Sequence, residues 1–421
     1  MIRYLSLFSG IGGLEHPGTP PLLVCEADQL CRVSLNRQYP QADLWPDVQT
    51  LVPPAADMVV GGWPCQDLSS AGKLGGLSGA RSGLFFEMLR VARESGAHTI
   101  IGENVPNLLT IGQGSEFAEV LRSLGDAGFP NIAWRVLNAR AFGLPQERRR
   151  LFIVASKSPA RAEALHALIP ESATDGAKKR LDLEATGEGK AAGFYWTGGR
   201  RSICFSPGYV PALKIGATDE KGRSPVAVYL NGKVRKLNAQ ENLDLQGFAH
   251  LDLSDMTPSA ILRMAGNAVP APVGQFVVQS VADCEPSAGV RTSFGAIGQA
   301  GILEDGLPWA IEHDDPPLAS NLIDFLHPDD DSSLTAQAAA GLLVRSIRSG
   351  LPLPKELFET LLDLSHDRTG KLHPSRGNSF EALDGMLDEL TWYSAKLNSI
   401  SEYSEKLESR KSPVRKLRAA V

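Results

Sequence analysis

The sequence has few cysteines, no long apolar run and no signal segment, and each of these absences excludes a class of protein. Five of the 421 residues are cysteines, and their spacing fits neither a metal site nor a disulfide framework. No apolar run is long enough to span a bilayer, and the N-terminal residues lack a cleavable signal pattern. We therefore predict a cytoplasmic protein with reduced thiols, without a metal site and without a membrane partner.

Positive charge is concentrated in one part of an acidic chain. The net charge is −6, yet residues 140–236 hold 18 Lys and Arg against 9 Asp and Glu, a local balance of +9. A concentration of this size predicts one basic face for a polyanion such as a nucleic acid. The alternative is a solvated basic loop region. The length of the chain predicts two or three domains.

Apolar runs typical of strands alternate with helix-compatible stretches through residues 1–155. This alternation predicts an α/β fold, with a doubly wound, mostly parallel sheet and helices on both faces. The predicted strands are Arg3–Phe8, Leu22–Cys25, Met58–Val60, Thr99–Ile101, Ile132–Leu137 and Leu151–Ala155.

A glycine-rich segment, residues 8–13, follows the first predicted strand, and Glu26 follows the second. Glycines at such a turn let the backbone approach a ligand and expose amide donors. An acidic residue after the second strand of a doubly wound fold is placed to bind ribose hydroxyls. For Glu26 the alternative is a carboxylate at the start of a helix.

A cysteine follows another predicted strand on a stiff turn, Gly61-Gly62-Trp63-Pro64-Cys65. Open α/β folds bind ligands at the carboxyl edge of the sheet, where this turn is expected. The alternative for Cys65 alone is a buried structural cysteine.

An ordered series of motifs resembles the DNA cytosine-5 methyltransferases. The resemblance implies a Rossmann-like fold and methyl transfer from S-adenosylmethionine to carbon 5 of a flipped cytosine in duplex DNA. It also implies a bacterial or phage-infected bacterial cell. The series comprises Ser6–Gly13, Glu26, Asp47, Pro64-Cys65-Gln66, Glu103-Asn104-Val105, Gln146–Arg150, Leu245–Phe248 and Gly266–Pro270.

Four residues carry the chemistry that the resemblance implies. A thiolate of Cys65 would add to carbon 6 and make carbon 5 nucleophilic, which is covalent catalysis. Glu103 would hydrogen-bond ring nitrogen 3, which requires desolvation to raise its pKa. By the same resemblance Arg150 would hold the exocyclic oxygen and Arg148 would support the pocket. Because alternate positions of a strand share a face, these two side chains should lie together while Arg149 points away.

The cofactor site implied by the resemblance draws on distant parts of the chain. Because two of its residues lie late in the sequence, we predict a discontinuous catalytic domain completed by a helix over Ala260–Ala282. The implied cofactor-binding residues are Phe8, Gly10, Gly12, Glu26, Asp47, Leu84, Asn267 and Val269.

The sequence is predicted to divide into four segments. Residues 1–155 and 231–285 form the catalytic domain, residues 156–230 form a small target-recognition segment, and residues 286–421 form a linker with a mainly helical extension. Within the extension, residues 300–328 are an acidic linker with short elements, and a heptad pattern covers 383–407. Two helices cover Leu334–Arg348 and Pro354–Ser365, and this pair resembles the tails of phage- and prophage-borne members of the family. These helices are candidates for self-association or partner contact, and the alternative for the heptad segment is packing against the body of the protein. A chain ending near Cys284 is then expected to retain methyl transfer.

Three residues depart from the pattern that is usual in this family. Ser6 stands where the family usually has Asp, and Gln240 and Asp244 stand where arginines are usual.

Two alternative functions are open. One alternative is a transfer-RNA cytosine-5 methyltransferase, and another is a DNA-binding homologue without catalysis. A cognate restriction endonuclease is a further candidate partner.

Overall fold

The computed structural model describes most of the chain as two compact units. The described residues are 2–64, 83–166, 191–195, 205–214, 226–284, 290–293, 300–304, 307–312, 321–327, 333–349, 353 and 355–365. Unit 1 comprises Met1–Lys179, Ala212–Ser224 and Asn238–Leu326, and unit 2 comprises Arg180–Pro211, Pro225–Leu237 and His327–Val421. Within the described ranges, no helix combines the length and apolar character needed to cross a bilayer.

Unit 1 is built on a ten-stranded sheet with the strand order β14-β16-β15-β6-β8-β5-β4-β1-β2-β3. These strands are β1 (Tyr4–Leu7), β2 (Leu23–Cys25), β3 (Asp43–Trp45), β4 (Met58–Gly62), β5 (Thr99–Asn104), β6 (Asn131–Asn138), β8 (Arg149–Ser156), β14 (Val290–Ser293), β15 (Ala300–Glu304) and β16 (Leu307–Glu312); the short strand β7 is Gln146–Glu147.

Seven α-helices accompany this sheet in the described part of unit 1. They are α1 (Gln29–Gln38), α2 (Gly83–Glu94), α3 (Ser115–Asp126), α4 (Pro159–Glu163), α5 (Ala239–Asp244), α6 (Pro258–Asn267) and α7 (Ala271–Asp283). Short 3₁₀ turns are Val48–Thr50, Pro106–Leu109, Ile111–Gly114, Ala139–Phe142, Ala164–His166 and Leu322–Phe325.

The strand directions confirm the predicted doubly wound, mostly parallel sheet. The strands β3, β2, β1, β4 and β5 are parallel neighbours. The strand β8 runs antiparallel between β5 and β6. The carboxyl ends of the parallel strands therefore meet at one edge, where doubly wound folds place their ligands.

Alternating side chains of each strand supply two apolar cores, one on each face of the sheet. In β8, Ile153 packs into the core that contains α2 and α3, whereas Val154 packs into the core that contains α7. Both faces are apolar because helices cover both, as expected for a parallel sheet between two helical layers.

Two sequence-based interpretations of unit 1 are wrong. Residues 300–312, predicted as part of a linker, include the strands β15 and β16, which extend the sheet because β15 pairs with β6. The predicted helix over Ala260–Ala282 is two helices, α6 and α7, with Pro270 between them. Proline lacks the amide hydrogen that would continue a helix, so the chain restarts there.

The described part of unit 2 contains a four-stranded antiparallel sheet and two helices. The sheet order is β10-β9-β12-β13, and the helices pack on this sheet around one apolar core. The prediction of two helices after residue 333 is confirmed, whereas the heptad pattern lies outside the described residues. The elements are β9 (Ala191–Tyr195), β10 (Phe205–Pro207), β11 (Val210–Pro211), β12 (Val226–Leu230), β13 (Lys233–Lys236), α8 (Ala336–Ser349) and α9 (Lys355–Ser365).

Candidate functional site

The predicted cofactor residues among the first 50 residues of the chain lie at the carboxyl ends of β1, β2 and β3. The loop after β1 adopts left-handed backbone angles at Phe8 (φ 54°), Gly10 (φ 57°) and Gly12 (φ 95°). Glycine adopts such angles without strain, but a bulky residue such as phenylalanine does not. A strained residue of this kind is typical of ligand sites.

Glu26 holds the glycine loop in place. Its Oε2 atom accepts a hydrogen bond of 2.8 Å from the amide of Gly10, and its Oε1 atom accepts one of 2.8 Å from the amide of Asp28. The alternative role, a cap for the following helix, belongs to Asp28, whose side chain accepts from the amides of Leu30 and Cys31.

Asp47 lies two residues beyond β3 and is exposed. Its Oδ1 atom accepts a hydrogen bond of 2.9 Å from the amide of Gln49, which orients the carboxylate at the start of a 3₁₀ turn. Leu84, the second residue of α2, is half-buried and packs against the apolar core that contains α2 and α3.

The start of α7 returns to the glycine loop. A Cβ atom on Gly13 would overlap the carbonyl oxygen of Val269, and one on Gly274 would overlap the carbonyl oxygen of Gly13. Val269 is therefore in backbone contact with the loop, and Asn267 is exposed at the end of α6. The structure thus brings late residues to the first loop, as a discontinuous domain requires.

Replacing Gly13 with alanine is expected to destabilise unit 1. The new methyl group would displace the backbone at Val269, and overpacking of this kind costs about 1–3 kcal/mol. For a domain of this size each kcal/mol lowers Tm by roughly 2–4 °C. Thermal melting followed by circular dichroism measures the change.

Gly125→Ala is the matched control for this substitution. Gly125 lies in α3 and has no atom within 4 Å of the position of an added Cβ. Alanine there is expected to raise stability slightly, because it has the better helix propensity. An unchanged Tm for Gly13→Ala would contradict the close packing of the loop against Val269.

The predicted catalytic residues lie around the ends of β4 and β5. Glu103 pairs with Gly62 in the sheet, and a Cβ atom on Gly62 would lie 2.7 Å from the Oε2 atom of Glu103. Glycine is therefore needed at Gly62 to leave room for the carboxyl group. Pro64 is the last described residue of this turn, and Cys65 lies outside the described residues.

Glu103 is a buried carboxyl group paired with a guanidinium group. It lies within β5, not after the strand, and its Oε1 atom is 2.9 Å from the Nε atom of Arg150. Burial raises the pKa of Glu103 above its ordinary value, and the positive charges of Arg150 and Arg148 oppose part of the rise. The protonated form is consequently more accessible than in an exposed glutamate.

Arg148 is buried and bonded to backbone carbonyl groups. Its guanidinium group donates hydrogen bonds of 3.0 Å and 2.7 Å to the carbonyl oxygens of Gly266 and Ala268, on either side of Asn267. It donates a third, of 2.7 Å, to Leu213. Arg148 therefore positions the turn that carries Asn267 and Val269. Arg149 is exposed whereas its two neighbours are not, as predicted from alternation.

Two buried polar residues near these sites were not among the predicted site residues. Gln146, which begins the arginine motif, donates from Nε2 to the carbonyl oxygen of Leu245 at 2.8 Å and accepts at Oε1 from the amide of Leu213 at 3.0 Å. Glu15 accepts a hydrogen bond of 2.7 Å from the hydroxyl of Ser6. The unusual serine at position 6, followed by an acid after the glycines, is the signal that could have identified Glu15.

The other two departures from the family pattern contact each other. The Nε2 atom of Gln240 donates a hydrogen bond of 2.7 Å to the Oδ1 atom of Asp244, one turn apart on α5. The pair lies on the same short helix, so the two replacements form one local feature.

Comparison with known proteins identifies relatives of this chain. Residues 2–188 match the family described as C-5 cytosine-specific DNA methylase. Type II methyltransferase M2.BsuMI of Bacillus subtilis is 29% identical over 377 residues, which cover 82% of this chain and 94% of that protein. Type II methyltransferase M.NgoBI of Neisseria gonorrhoeae is 29% identical over 290 residues, which cover 65% of this chain and 90% of that protein.

A solved methyltransferase structure from Entamoeba histolytica is 14% identical with a TM-score of 0.46, and the match covers 67% of this chain and 98% of that one. The family match spans the glycine loop, the Cys65 turn, Glu103 and the arginine motif. Members of this family use S-adenosylmethionine. By this match, residues 2–188 belong to the family of C-5 cytosine-specific DNA methylases, and the similarity to the Bacillus subtilis methyltransferase extends over 82% of the chain.

Proposed function

We propose that this chain methylates carbon 5 of cytosine in duplex DNA, with S-adenosylmethionine as the methyl donor and Cys65 as the nucleophile. The observation that carries the proposal is the buried pair of Glu103 and Arg150 beside the strand end that leads to Cys65. A carboxyl group with a raised pKa and a guanidinium group are suited to bind the polar edge of a flipped base.

The residues at the carboxyl ends of β1–β3 fit S-adenosylmethionine. Space is open at the Cβ position of Gly10, and the carboxylates of Glu26 and Asp47 are available for hydroxyl and amino donors. We propose that Phe8, Gly10, Gly12, Leu84, Asn267 and Val269 complete this site. When bound, S-adenosylmethionine supplies an electrophilic methyl group on a sulfonium sulfur.

The chain's own residues activate the cytosine. The Cys65 thiolate forms a bond to carbon 6 while Glu103 donates a proton to nitrogen 3, so that the ring becomes nucleophilic at carbon 5. Arg150 holds the exocyclic oxygen during this addition. After the methyl group is in place, a solvent water molecule takes the carbon 5 proton, and the electron pair of that bond forms the double bond between carbons 5 and 6. The bond between sulfur and carbon 6 breaks in the same step and releases the Cys65 thiolate, and nitrogen 3 returns its proton to Glu103.

We propose that unit 2 supplies much of the target recognition. It contains part of the predicted recognition segment, 156–230, together with α8 and α9. The basic balance of residues 140–236 supports phosphate contact, which positions a protein on DNA without specifying a sequence. The catalytic domain of residues 1–155 and 231–285, the cytoplasmic location and a cognate restriction endonuclease are proposals, supported by the type II methyltransferases of bacteria among its relatives.

The proposal is tested by methyl transfer from tritiated S-adenosylmethionine to duplex DNA and, in parallel, to transfer RNA. We expect incorporation into DNA only. Bisulfite sequencing of a bacterial host that expresses the chain then identifies the methylated sites. Incorporation into transfer RNA alone would favour the RNA methyltransferase, and DNA binding without incorporation would favour the inactive homologue.

Replacing Glu103 with glutamine is expected to lower kcat/KM by about 10²–10⁴-fold, the range of general acid–base catalysis. The wild-type rate should fall as pH rises through the raised pKa of Glu103, because the proton donor is then lost. Glutamine cannot ionise, so this limb of the pH–rate profile should be absent in Glu103→Gln.

Glu94→Gln is the matched control for this variant. Glu94 lies on α2, is exposed and pairs with Arg90 at the surface. Its substitution is expected to leave both the rate and the pH profile close to the wild type. A Glu103→Gln enzyme with an unchanged rate would exclude Glu103 from the reaction.

A further inference from the structure

A second carboxyl group lies beneath the glycine loop. Glu15 is 1% exposed, and its Oε1 atom accepts a hydrogen bond of 2.7 Å from the Ser6 hydroxyl at the end of β1. Its Oε2 atom accepts one of 2.8 Å from the amide of Leu14 at the far end of the loop. The carboxyl group thus joins the two ends of the loop that we propose to bind the cofactor.

The carboxyl group of Glu15 is close to the loop backbone itself. A Cβ atom on Gly12 would lie 3.5 Å from its Oε2 atom. Glu26 holds the same loop through the amide of Gly10. The loop is therefore fixed by two carboxyl groups, and only Glu26 has a role in the proposed function.

The charge of Glu15 is sensitive to pH near neutrality. Burial raises the pKa of Glu15 to about 7, although the hydrogen bonds from Ser6 and from the Leu14 amide oppose the rise. The titratable groups that face it are the phenols of Tyr4 and Tyr39, and burial raises the pKa of both. The adjacent His16 accepts a hydrogen bond at Nδ1 from the amide of Gly18.

We propose that Glu15 is a positioning residue whose ionised form favours, in the glycine loop, a ligand with a positively charged sulfur over one with a neutral sulfur. S-adenosylmethionine carries a sulfonium charge, whereas the product S-adenosylhomocysteine has a neutral sulfur. A buried carboxylate attracts the first and not the second, because Coulomb interactions are strong where water is excluded. The inference rests on the proposed function, since it requires the cofactor to bind at this loop.

The sign of the pH effect follows from the ionisation of Glu15. Between about pH 6 and pH 8 the carboxyl group changes from mostly protonated to mostly ionised. The Kd of S-adenosylmethionine should therefore fall at least about fivefold over this interval, a modest coupling between two sites. The Kd of S-adenosylhomocysteine should change less than about twofold, because its sulfur has no positive charge for the carboxylate to attract.

Three variants of the full-length chain test this inference by isothermal titration calorimetry with both ligands. Glu15→Gln stays neutral but can still accept from Leu14 and donate to Ser6, so it should abolish the pH dependence. Ser6→Asp combined with Glu15→Gln places a carboxyl group where the Ser6 hydroxyl lies and should restore preference for the cationic ligand. Glu241→Gln is the control: this buried glutamate caps α5, and its variant should behave as wild type.

The outcomes separate this inference from the proposed function. The role of Glu15 would be overturned if the ratio of the two Kd values changed with pH equally in the wild type and in Glu15→Gln. It would also be overturned if that ratio did not change with pH in the wild type. Either result would leave the cofactor site itself intact. If the wild type bound neither ligand at either pH, the proposed function would fail and the inference with it. Where Glu15→Gln does not melt cooperatively, the wild-type profile decides: a Kd ratio independent of pH overturns the inference.

Discussion

Cys65→Ser is expected to lose methyl transfer by at least about 10⁴-fold, the scale seen when a catalytic nucleophile is removed. A serine hydroxyl has a far higher pKa than a thiol, so no nucleophile adds to carbon 6 at neutral pH. DNA that contains 5-fluorocytosine provides a direct measurement. Fluorine cannot leave carbon 5 as the proton does, so the wild-type chain should remain covalently attached and migrate with the DNA on a denaturing gel.

Cys284→Ser is the matched control for the nucleophile. Cys284 is an exposed free cysteine at the end of α7, and its substitution should leave adduct formation unchanged. An adduct that persists in Cys65→Ser, or that is lost in Cys284→Ser, would refute the assignment of Cys65.

A chain that ends at Cys284 is expected to lose target binding and methyl transfer. The sequence alone predicts the opposite, because every motif lies before that residue. The structure reverses the expectation: truncation removes β15, which covers the edge of β6, and removes both helices from the sheet of unit 2. An uncovered strand edge also promotes aggregation.

The size of this effect follows from the buried side chains of α8 and α9. Each fully buried leucine or phenylalanine contributes roughly 1.5–3 kcal/mol, and a domain has only about 5–15 kcal/mol of net stability. The burial free energy lost with both helices is therefore as large as the net stability of a domain, so the sheet of unit 2 should not remain folded without them. The side chains concerned include Leu342, Leu343, Leu357, Phe358 and Leu361.

A chain that ends at Ser365 is the matched control for the truncation, because it retains every described element. It should melt and bind DNA like the full chain, whereas the chain ending at Cys284 should show a lost or broadened melting transition and no retention of DNA in a gel-shift assay. A chain ending at Cys284 that folds and methylates DNA at the full rate would show that α8 and α9 are dispensable.

The predicted strands of the parallel sheet are all present, because each is a short apolar run bounded by turn residues. Their ends were less predictable. The strand predicted over Thr99–Ile101 continues to Asn104 because Glu103 pairs with Phe152 of β8. A charged residue in a strand gives no local signal of this kind, since its place depends on a partner elsewhere in the chain.

Local pattern determined the order of strands and helices, the glycine loop and the acidic residues that follow the strands. These features depend on periodicity and turn chemistry within a few residues, which any stretch of sequence displays. The motif series carries the resemblance to the family by itself, because each motif is a short run of adjacent residues.

Only the tertiary structure decided which distant residues share a site. Arg148 bonds to Ala268, 120 residues away in sequence, Glu15 closes the glycine loop through Ser6, and β15 joins the sheet at β6. Such contacts are selected by packing and by the requirement that buried polar groups find partners. That requirement acts only when the chain is folded, because an exposed guanidinium or carboxyl group is satisfied by water.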